Sequence, residues 1–286
     1  MIPAMATLSV RPLTAADIPL GMRLKSAVNW NQTEADWRRV LELDPTGSFV
    51  GQLDGVDVGT VTTVAFGSIG WIGLMLVDET VRGQGVGKAL MQTALDDLER
   101  RGVKSIRLDA TPLGQPLYEK LGFTADFALA RWSGEPNASA PLDGVSQLAT
   151  DSSVDRIAAL DQQATATDRR ALLAALLRDQ PPVAQVIETG SQLVAAVLSR
   201  RGANATQVGP CSALESSSGA KLLRSAIGQL AGQPVYVDIP DSNSAARAIA
   251  TEYGLAVQRP LLRMTRGEKI AERPELIWAS FGPEKG

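Results

Sequence analysis

A basic, glycine-rich loop in the first half of the chain carries the residues best suited to chemistry. An apolar run from Trp71 to Val77 leads through a short polar turn into Arg82-Gly83-Gln84-Gly85-Val86-Gly87, and an amphipathic helix is predicted to start at about Lys88. Glycines allow backbone N–H groups to converge, and a helix N-terminus adds partial positive charge. With the full charge of Arg82 at its mouth, the loop predicts a site for a ligand that carries a diphosphate.

Two familiar phosphate-binding loops differ from this one at essential positions. A Walker A loop requires Gly-x-x-x-x-Gly-Lys-Ser/Thr, but here Arg82 stands at the first glycine and Ala89 at the metal-binding hydroxyl. The dinucleotide pattern Gly-x-Gly-x-x-Gly is not met either, because the third glycine, Gly87, comes one residue early. From the loop alone, the alternative that it is a glycine-rich turn that binds no ligand stays open.

A second motif follows the loop after one helix and one strand. The helix is predicted to end near Arg101-Gly102, and the strand covers Ser105 to Asp109. The motif itself reads Pro116-Leu117-Tyr118-Glu119-Lys120-Leu121-Gly122-Phe123. Upstream, Gly47 to Gly59 reads as a hairpin, because Asp54-Gly55 lies between alternating apolar residues.

These two motifs resemble those of one enzyme family. The pattern Arg/Gln-x-x-Gly-x-Gly/Ala after a strand resembles the coenzyme A loop of the GNAT family of N-acetyltransferases, and Leu117 to Phe123 resembles the family's Leu-Tyr-Glu-Lys-Leu-Gly-Phe signature. The resemblance extends over roughly Leu8 to Trp132. Thr111 and Gly114 depart from it, since family members often have Asn and Ala there.

The resemblance implies how the cosubstrate, acetyl-CoA, is held. Backbone groups of Leu76 and Val77 would pair with the pantetheine arm like a neighbouring strand. Splay between Val77 and Ser105 would admit the thioester. Amides of the loop would hold the diphosphate while Arg82 adds charge; the residues implied are Arg82, Gly83, Gln84, Gly85, Val86, Gly87 and Lys88.

The resemblance also implies a reaction in which the acceptor amine attacks the acetyl carbonyl directly in a ternary complex. Tyr118 would protonate the departing thiolate, because a phenol of pKa ~10 stays protonated at neutral pH. A packed helix aromatic is the alternative for Tyr118. Asp109 could deprotonate the amine through water, or it could cap the Thr111-Pro112 turn. Since the chain has no histidine, a water relay is the default base.

The acceptor pocket is predicted from the segment that starts at Asn29. Family members use the first two helices as a flap over the substrate, so Asn29, Trp30 and Asn31 are candidate substrate contacts, with Trp71 at the start of the central strand. Trp30 and Trp37 are seven residues apart and share one face if the segment is a continuous helix. For Trp37 we expect a role in the core.

Composition favours a cytoplasmic enzyme. Net charge of −3 and a pI near 5.2 argue against general affinity for nucleic acid. One cysteine, Cys211, and no histidine argue against a disulfide within the chain and against a metal site. No apolar run approaches the ~20 residues of a membrane span, and the first ten residues do not read as a signal peptide.

The second half of the chain reads as a divergent copy of the first. Aligning Lys88-Ala89-Leu90 with Lys221-Leu222-Leu223 places Glu215 to Ala220 opposite the loop, so Arg82 faces Glu215, whose charge would repel a diphosphate. Aligning Gly122-Phe123 with Gly254-Leu255 places Ala250 opposite Tyr118. Asn243 and Ala246 occupy positions where the family often has Asn and Ala. The copy is therefore predicted to keep the topology and lose the chemistry.

The predicted fold is α/β (α+β), with two tandem GNAT-like domains. Each is expected to be a mixed, mostly antiparallel twisted sheet flanked by helices and splayed at its central parallel strands. Residues 1–135 would form the catalytic domain, 136–144 a linker, and 145–286 a non-catalytic domain. The arrangement resembles bacterial tandem acetyltransferases. Strands are predicted at Val183 to Glu188, Leu193 to Ser199 and Val235 to Ile239, and helices at Asp155 to Leu160 and Asp168 to Leu177.

Taken together, the sequence predicts an acetyl-CoA-dependent N-acetyltransferase acting on a small-molecule amine or an amino-acid-like acceptor. A non-catalytic acyl-CoA sensor and a protein-lysine acetyltransferase are the alternatives. Tyr118 favours the enzyme over the sensor, because a sensor does not need a proton donor. The acceptor, the acyl length, the general base and whether the chain forms a homodimer stay open.

Overall fold

The computed structural model describes residues 7–137, 143–147 and 153–286. They divide into two compact units: the first comprises the described residues up to Leu108 together with Lys285, and the second comprises Asp109 to Glu284 with Gly286. The boundary lies upstream of the predicted linker, residues 136–144, of which 138–142 fall outside the described ranges. The division into functional domains at that linker stays a prediction.

The first unit is a mixed sheet in the order β1-β2-β3-β4-β5. Successive strands are antiparallel except β4 and β5, which are parallel. The predicted hairpin is confirmed: Asp54 and Gly55 both have positive φ, at 51° and 79°, as a tight two-residue turn requires. The strands are β1 Leu8–Pro12, β2 Phe49–Leu53, β3 Val56–Phe66, β4 Ile69–Val77 and β5 Ser105–Ala110; the helices are α1 Ile18–Ala27, α2 Glu34–Leu43 and α3 Val86–Arg100.

Small residues on one face of this sheet let α3 pack directly on the backbone. A methyl group at Gly59 would lie 2.9 Å from Leu90 Cδ1, and one at Gly70 would lie 3.0 Å from Leu98 Cδ2. Gly51 of β2 faces α3 in the same way. Its chain neighbour Val50 instead packs in a cluster with Leu24 of α1 and Trp37 of α2. Because adjacent strand residues point to opposite faces, α3 covers one face of the sheet while α1 and α2 cover the other.

The second unit is a mixed, mostly antiparallel sheet in the order β12-β6-β11-β10-β9-β8-β7, and β13 pairs with β10. Its one described parallel pair is β10 with β11. The strands are β6 Thr124–Gly134, β7 Ser146–Gln147, β8 Ala184–Thr189, β9 Gln192–Arg200, β10 Thr206–Ala213, β11 Val235–Pro240, β12 Ala256–Gly267 and β13 Ile277–Ala279; the helices are α4 Gln115–Lys120, α5 Val154–Thr165, α6 Arg170–Arg178, α7 Ser216–Gln229 and α8 Ser244–Glu252.

The order of elements confirms the internal repeat. The succession β10-α7-β11-α8-β12 has the same kinds of elements in the same order as β4-α3-β5-α4-β6, and each succession contains a parallel strand pair. We call residues 1–135 the first repeat and residues 145–286 the second repeat. Strand β6 of the first repeat lies between β11 and β12 of the second, antiparallel to both. This pairing explains why the compact units divide upstream of the predicted linker.

The three predicted strands of the second repeat are confirmed as β8, β9 and β11. Helix α5 is longer than predicted, and α6 begins two residues later than predicted. The Asp168 carboxylate accepts a hydrogen bond from the backbone N–H of Arg170 at 3.0 Å, so it caps α6 from outside the helix. Strands β10 and β13 were not predicted.

Candidate active site

The glycine-rich loop follows β4 through a short turn that Asp78 organises. The Asp78 carboxylate accepts hydrogen bonds from the backbone N–H of Thr80 and from Arg23, at 3.2 and 2.6 Å. The Arg23 bond is the main reason that the pKa of Asp78 falls to about 2. Asp78 therefore stays charged well below neutral pH, which preserves its hydrogen bonds to Thr80 and Arg23.

Two glycines of the loop adopt conformations that other residues rarely take. Gly83 has φ +80°, and Gly85, with φ +88°, is the N-cap of α3, so the helix starts at Val86 rather than at Lys88 as predicted. The side chains of Arg82, Gln84 and Lys88 are exposed. The loop therefore presents cations beside the N-terminus of a long helix, as an anion site requires.

A β-bulge in β4 lies directly before the two residues predicted to pair with pantetheine. Thr60 pairs with Leu76 but Thr62 pairs with Gly73, so β4 carries an extra residue between them, and Leu74 has φ +47°. The carbonyls of Gly73 and Leu74 accept hydrogen bonds from the hydroxyls of Thr62 and Thr60, each at 3.0 Å. No motif in the sequence predicts this bulge, although Gly73 within an apolar run is a signal for one.

Just before the bulge, β4 separates from β5. Their parallel ladder runs from Ile69 opposite Ser105 to Trp71 opposite Arg107, while β4 continues to Val77. The predicted splay of the central parallel strands is confirmed. The residues fit acetyl-CoA: a strand edge at Leu76 and Val77 suits an amide-bearing arm, and the loop that follows suits a diphosphate.

The predicted acceptor residues differ in accessibility. Asn29 is exposed with φ +51°, Trp30 is half-buried against the α1–α2 cluster, and Asn31 is buried. Trp71 is buried as well, with the Arg107 guanidinium 5.4 Å from its ring centroid. Asn29 and Trp30 are thus the two of these side chains that a ligand could reach without rearrangement.

The segment from Trp30 to Trp37 is not one continuous helix, so the condition for a shared helix face is not met. Thr33 and Asp36 form a capping box, in which the Asp36 carboxylate accepts hydrogen bonds from the Thr33 N–H and hydroxyl at 2.8 and 3.0 Å. The helix therefore begins at Glu34, and Trp30 lies in the loop before it. Trp37 is fully buried against Gly21, which confirms its role in the core.

Tyr118 lies on α4, in the second unit. Its ring packs edge-on against Phe123, with the centroids 6.0 Å apart. A methyl group at Gly114 would lie 2.8 Å from Tyr118 Cε2, so glycine at this position lets the ring fold back over the start of the helix. Burial raises the pKa of Tyr118 to about 12, which keeps its hydroxyl protonated and suited to donating a proton.

Asp109, also in the second unit, is bound by an arginine that sequence analysis did not find. Its two carboxylate oxygens accept hydrogen bonds from Nε and Nη2 of Arg263, at 2.8 and 2.9 Å, and neither side chain is accessible. Arg263 also donates to Glu272 at 2.7 Å. Both carboxylate oxygens are therefore already engaged by the guanidinium, which leaves Asp109 poorly placed to take a proton from an amine. The turn that follows is capped by Thr111, whose hydroxyl accepts from the Gly114 N–H at 3.3 Å.

A cleft of about 250 Å³ lies beside the first turn of α4 in the second unit. Its lining is mostly apolar and comprises Ala110, Pro112, Gln115, Ala128, Pro260, Leu261 and Leu262. Gln115 begins the helix that carries Tyr118 one turn later. The cleft can therefore take an apolar group next to the helix of the candidate proton donor.

Three further features of the described residues concern metal ligands, membrane-spanning helices and the cysteine thiol. Within residues 7–137, 143–147 and 153–286, no three His, Cys, Asp or Glu side chains are grouped as a metal site would need. None of the helices described there is long and apolar enough to cross a bilayer. Burial raises the pKa of the single cysteine, Cys211, which makes its thiol a poor nucleophile.

Comparison with known proteins agrees with both repeats. Residues 19–123 match the profile of the acetyltransferase (GNAT) family, and residues 157–279 match an acetyltransferase (GNAT) domain profile. A holothin acyltransferase of Pseudoalteromonas sp. (strain SANK 73390) is 28% identical over 218 residues, which is 75% of this chain and 72% of that protein. A glucosamine 6-phosphate N-acetyltransferase of Trypanosoma brucei brucei is 30% identical over 113 residues, 40% of this chain and 76% of its own length.

Solved structures share the fold across the whole chain. A protein of Pyrococcus horikoshii superposes with a TM-score of 0.85 at 24% identity, covering 98% of this chain and 96% of its own. A tandem GNAT protein from the clavulanic acid biosynthesis pathway has a TM-score of 0.65 at 14% identity, covering 93% of this chain and 100% of its own. Two profile matches and two copies of one order of elements therefore identify this chain as an acyltransferase of the GNAT family, with two family domains in tandem.

Proposed function

We propose that the protein transfers the acetyl group of acetyl-CoA to the amine of a small-molecule acceptor, and that the first repeat binds acetyl-CoA. The observation that carries this proposal is the continuity of β4 with the loop. The strand leaves its neighbour β5 after Trp71, passes through a bulge, and leads within a few residues to Gly83, Gly85 and the N-terminus of α3. A ligand that is strand-like at one end and anionic at the other fits this sequence of features.

In this proposal, each group of residues has one task. Backbone groups of Leu76 and Val77 pair with the pantetheine arm, and the amides of Gly83 to Lys88 hold the diphosphate with Arg82 as counter-charge. When bound, acetyl-CoA supplies an activated acetyl group as a thioester. Tyr118 donates a proton to the departing thiolate, which leaves as the thiol, and the high pKa of Tyr118 keeps that proton available.

The base in this proposal is water rather than Asp109. Arg263 engages both carboxylate oxygens of Asp109, and the pair is closed off from solvent. A water molecule that reaches the acceptor amine can accept the proton of the amine and pass it to bulk solvent, so no side-chain base is needed. We assign Asp109 a positioning role, since it fixes the end of β5 from which the chain turns towards α4.

A small acceptor is favoured over a protein lysine by the apolar cleft beside α4. Proteins similar to this chain are also named for small molecules: a holothin acyltransferase, a glucosamine 6-phosphate N-acetyltransferase, and a mycothiol acetyltransferase of Thermobispora bispora that is 31% identical over 147 residues. We propose that the cleft takes the apolar body of the acceptor. Asn29 and Trp30, in the first unit, are proposed separately as acceptor contacts.

Amine-dependent release of the coenzyme A thiol tests the proposal. The purified chain is incubated with acetyl-CoA and an acceptor, which is either a small primary amine from a panel or a lysine-containing peptide. Products are identified by mass spectrometry. We expect thiol release in step with an acetylated small amine. Acetylation confined to peptides would favour a protein acetyltransferase. Saturable acetyl-CoA binding without release on any acceptor would favour the sensor.

A further inference from the structure

The second repeat has a gap between parallel strands like that of the first, and a strand of the same chain fills it. The parallel ladder of β10 and β11 runs from Thr206 opposite Val235 to Val208 opposite Val237, and β10 then continues to Ala213. Just past that ladder, Cys211 and Ser212 pair antiparallel with Ala279 and Ile277 of β13. We call Ile277 to Phe281 the inserted segment.

This pairing and the proposed pantetheine path both begin directly after an irregularity in the strand. In β4, the bulge lies between the positions paired to Thr60 and Thr62, and Leu76 and Val77 follow it. In β10, an irregularity lies between Val208 and Cys211, so Cys211 and Ser212 follow it. In each repeat, the two residues directly after the irregularity are therefore the ones concerned. Leu76 and Val77 are proposed to pair with pantetheine, and Cys211 and Ser212 pair with the inserted segment.

The inserted segment is held from several sides of the gap. On the β11 side, the Ser280 N–H donates to the Asp238 carbonyl at 2.8 Å. At the start of α8, Asn243 Nδ2 donates to the Ile277 carbonyl at 3.0 Å, and Asn243 is one of the residues that the sequence places where the family often has asparagine. Trp278 and Phe281 are 2% and 0% exposed. This is the contact set of a bound ligand rather than of a free edge strand.

The loop of the second repeat is also shaped around the inserted segment. The Trp278 indole packs on Gly219 in the first turn of α7, so closely that a methyl group at that position would overlap the ring. The N-cap of α7 is Glu215, whose charge opposes an anion at this helix end. The helix terminus that corresponds to the diphosphate site is thus covered by an indole and carries the wrong charge for a phosphate.

We propose that the inserted segment is the resident ligand of the second repeat, occupying the path along β10 that the pantetheine arm follows along β4 and thereby excluding acetyl-CoA from this domain. The inference rests on the proposed function, because it takes the β4 edge as the pantetheine path. It gives the second repeat a defined role: a folded, self-filled copy that leaves one cosubstrate site in the chain.

Amide hydrogen exchange on the wild-type chain, with and without saturating acetyl-CoA, tests the role of the inserted segment and the proposed acetyl-CoA site of the first repeat separately. We expect amides of Gly83 to Lys88 to slow at least about tenfold with ligand, a change of about 1.4 kcal/mol. Amides of the inserted segment should be protected already and unchanged by ligand. Fast exchange there, or exchange that responds to acetyl-CoA while the first loop also responds, would overturn the inference alone. A first loop that does not respond would instead remove the proposed function.

A matched pair of variants then tests the packing. Gly219→Ala should displace the Trp278 indole, although alanine has the higher helix propensity and so favours α7 itself. The amide of Ser280 should then exchange at least about tenfold faster. Ser217→Ala, in the same turn but exposed, should leave it unchanged. Equal exchange in the two variants would contradict the indole as the anchor of the inserted segment. Acetyl-CoA binding to the first repeat serves as the check that each variant is folded.

Discussion

At the scale of single residues, Tyr118 carries the clearest expectation. Replacing it with phenylalanine removes the hydroxyl and keeps the ring packed on Phe123. Because general acid catalysis contributes about 10²–10⁴-fold, we expect Tyr118→Phe to lower kcat about 100-fold or more with little change in acetyl-CoA affinity. Steady-state kinetics and calorimetry on the same preparation measure both. Tyr253→Phe, on a buried tyrosine of the second repeat, is the matched control and should retain kcat.

The pKa of Tyr118 fixes the expected pH dependence. A proton donor is lost as pH rises through its pKa, and burial places that value at about 12 rather than 10. Between pH 7 and about 10, the wild-type kcat should therefore show no decline that is absent from the Tyr118→Phe variant. A wild-type alkaline decline near pH 9 that disappears in the variant would show that the phenol ionises in the working range.

Asp109 is expected to matter for stability more than for chemistry. Asp109→Asn leaves the buried Arg263 with one carboxylate, Glu272, so we expect a loss of about 3 kcal/mol in the free energy of unfolding. The kcat of the folded fraction should change less than tenfold. Any fall in rate towards acid pH in the wild-type pH–rate profile should also be seen in the variant. Urea unfolding and a pH–rate profile measure these. A full-stability variant with kcat down about 10²-fold or more would restore Asp109 as the base.

Sequence alone predicted the residue types of the site but not their partners. Arg82, the glycines and Tyr118 stand in short motifs whose spacing is visible along the chain. Arg263 lies 154 residues from Asp109, and nothing in either local pattern connects them. Gly114 could be noted only as a departure from the family; its reason, the approach of the Tyr118 ring, is a contact across the first turn of α4.

At the scale of elements, the start of α3 depends on one glycine. Gly85 holds φ +88° as the N-cap, where a β-branched side chain costs roughly 1–2 kcal/mol or more and asparagine is tolerated better. We expect Gly85→Val to weaken acetyl-CoA binding about tenfold or more by moving the first amides of the helix, and Gly85→Asn to weaken it less. Calorimetry measures the two affinities. Equal losses would mean that side-chain bulk, rather than backbone conformation, is responsible.

Elements with their own periodicity or turn residues were predictable, and those defined by distant pairing were not. The Asp54-Gly55 hairpin, β5 and α3 follow from local patterns. The bulge in β4 depends on which residues of β3 it meets, and β13 is a three-residue strand that exists because β10 accepts it. The boundary of the compact units lies upstream of the predicted linker for the same reason, because β6 pairs with β11 and β12 rather than within the sheet of its own repeat.

At the scale of the whole molecule, a buried ion pair joins the two repeats through β6. Arg131 Nε and Nη2 donate to the Asp238 carboxylate at 2.7 Å each, and both residues are almost fully buried. Since breaking such a pair leaves an uncompensated charge, we expect Asp238→Leu to cost about 3–5 kcal/mol. The double variant Arg131→Met, Asp238→Leu should recover much of that loss. Chemical unfolding of the four proteins of the cycle measures the coupling, and strictly additive losses would contradict it.

In the proposed function, one diphosphate-binding loop, in the first repeat, makes this tandem protein an acetyl-CoA-dependent enzyme. Calorimetric titration with acetyl-CoA tests this most directly, and it is done on the wild type and two variants. Arg82→Glu copies the charge of Glu215. Lys104→Glu is the control, because it makes the same charge change at an exposed site past the other end of α3. We predict one site per chain in the wild type and the Lys104 variant, and an affinity at least about tenfold lower in the Arg82 variant. Two sites per chain, or binding indifferent to Arg82, would contradict the account.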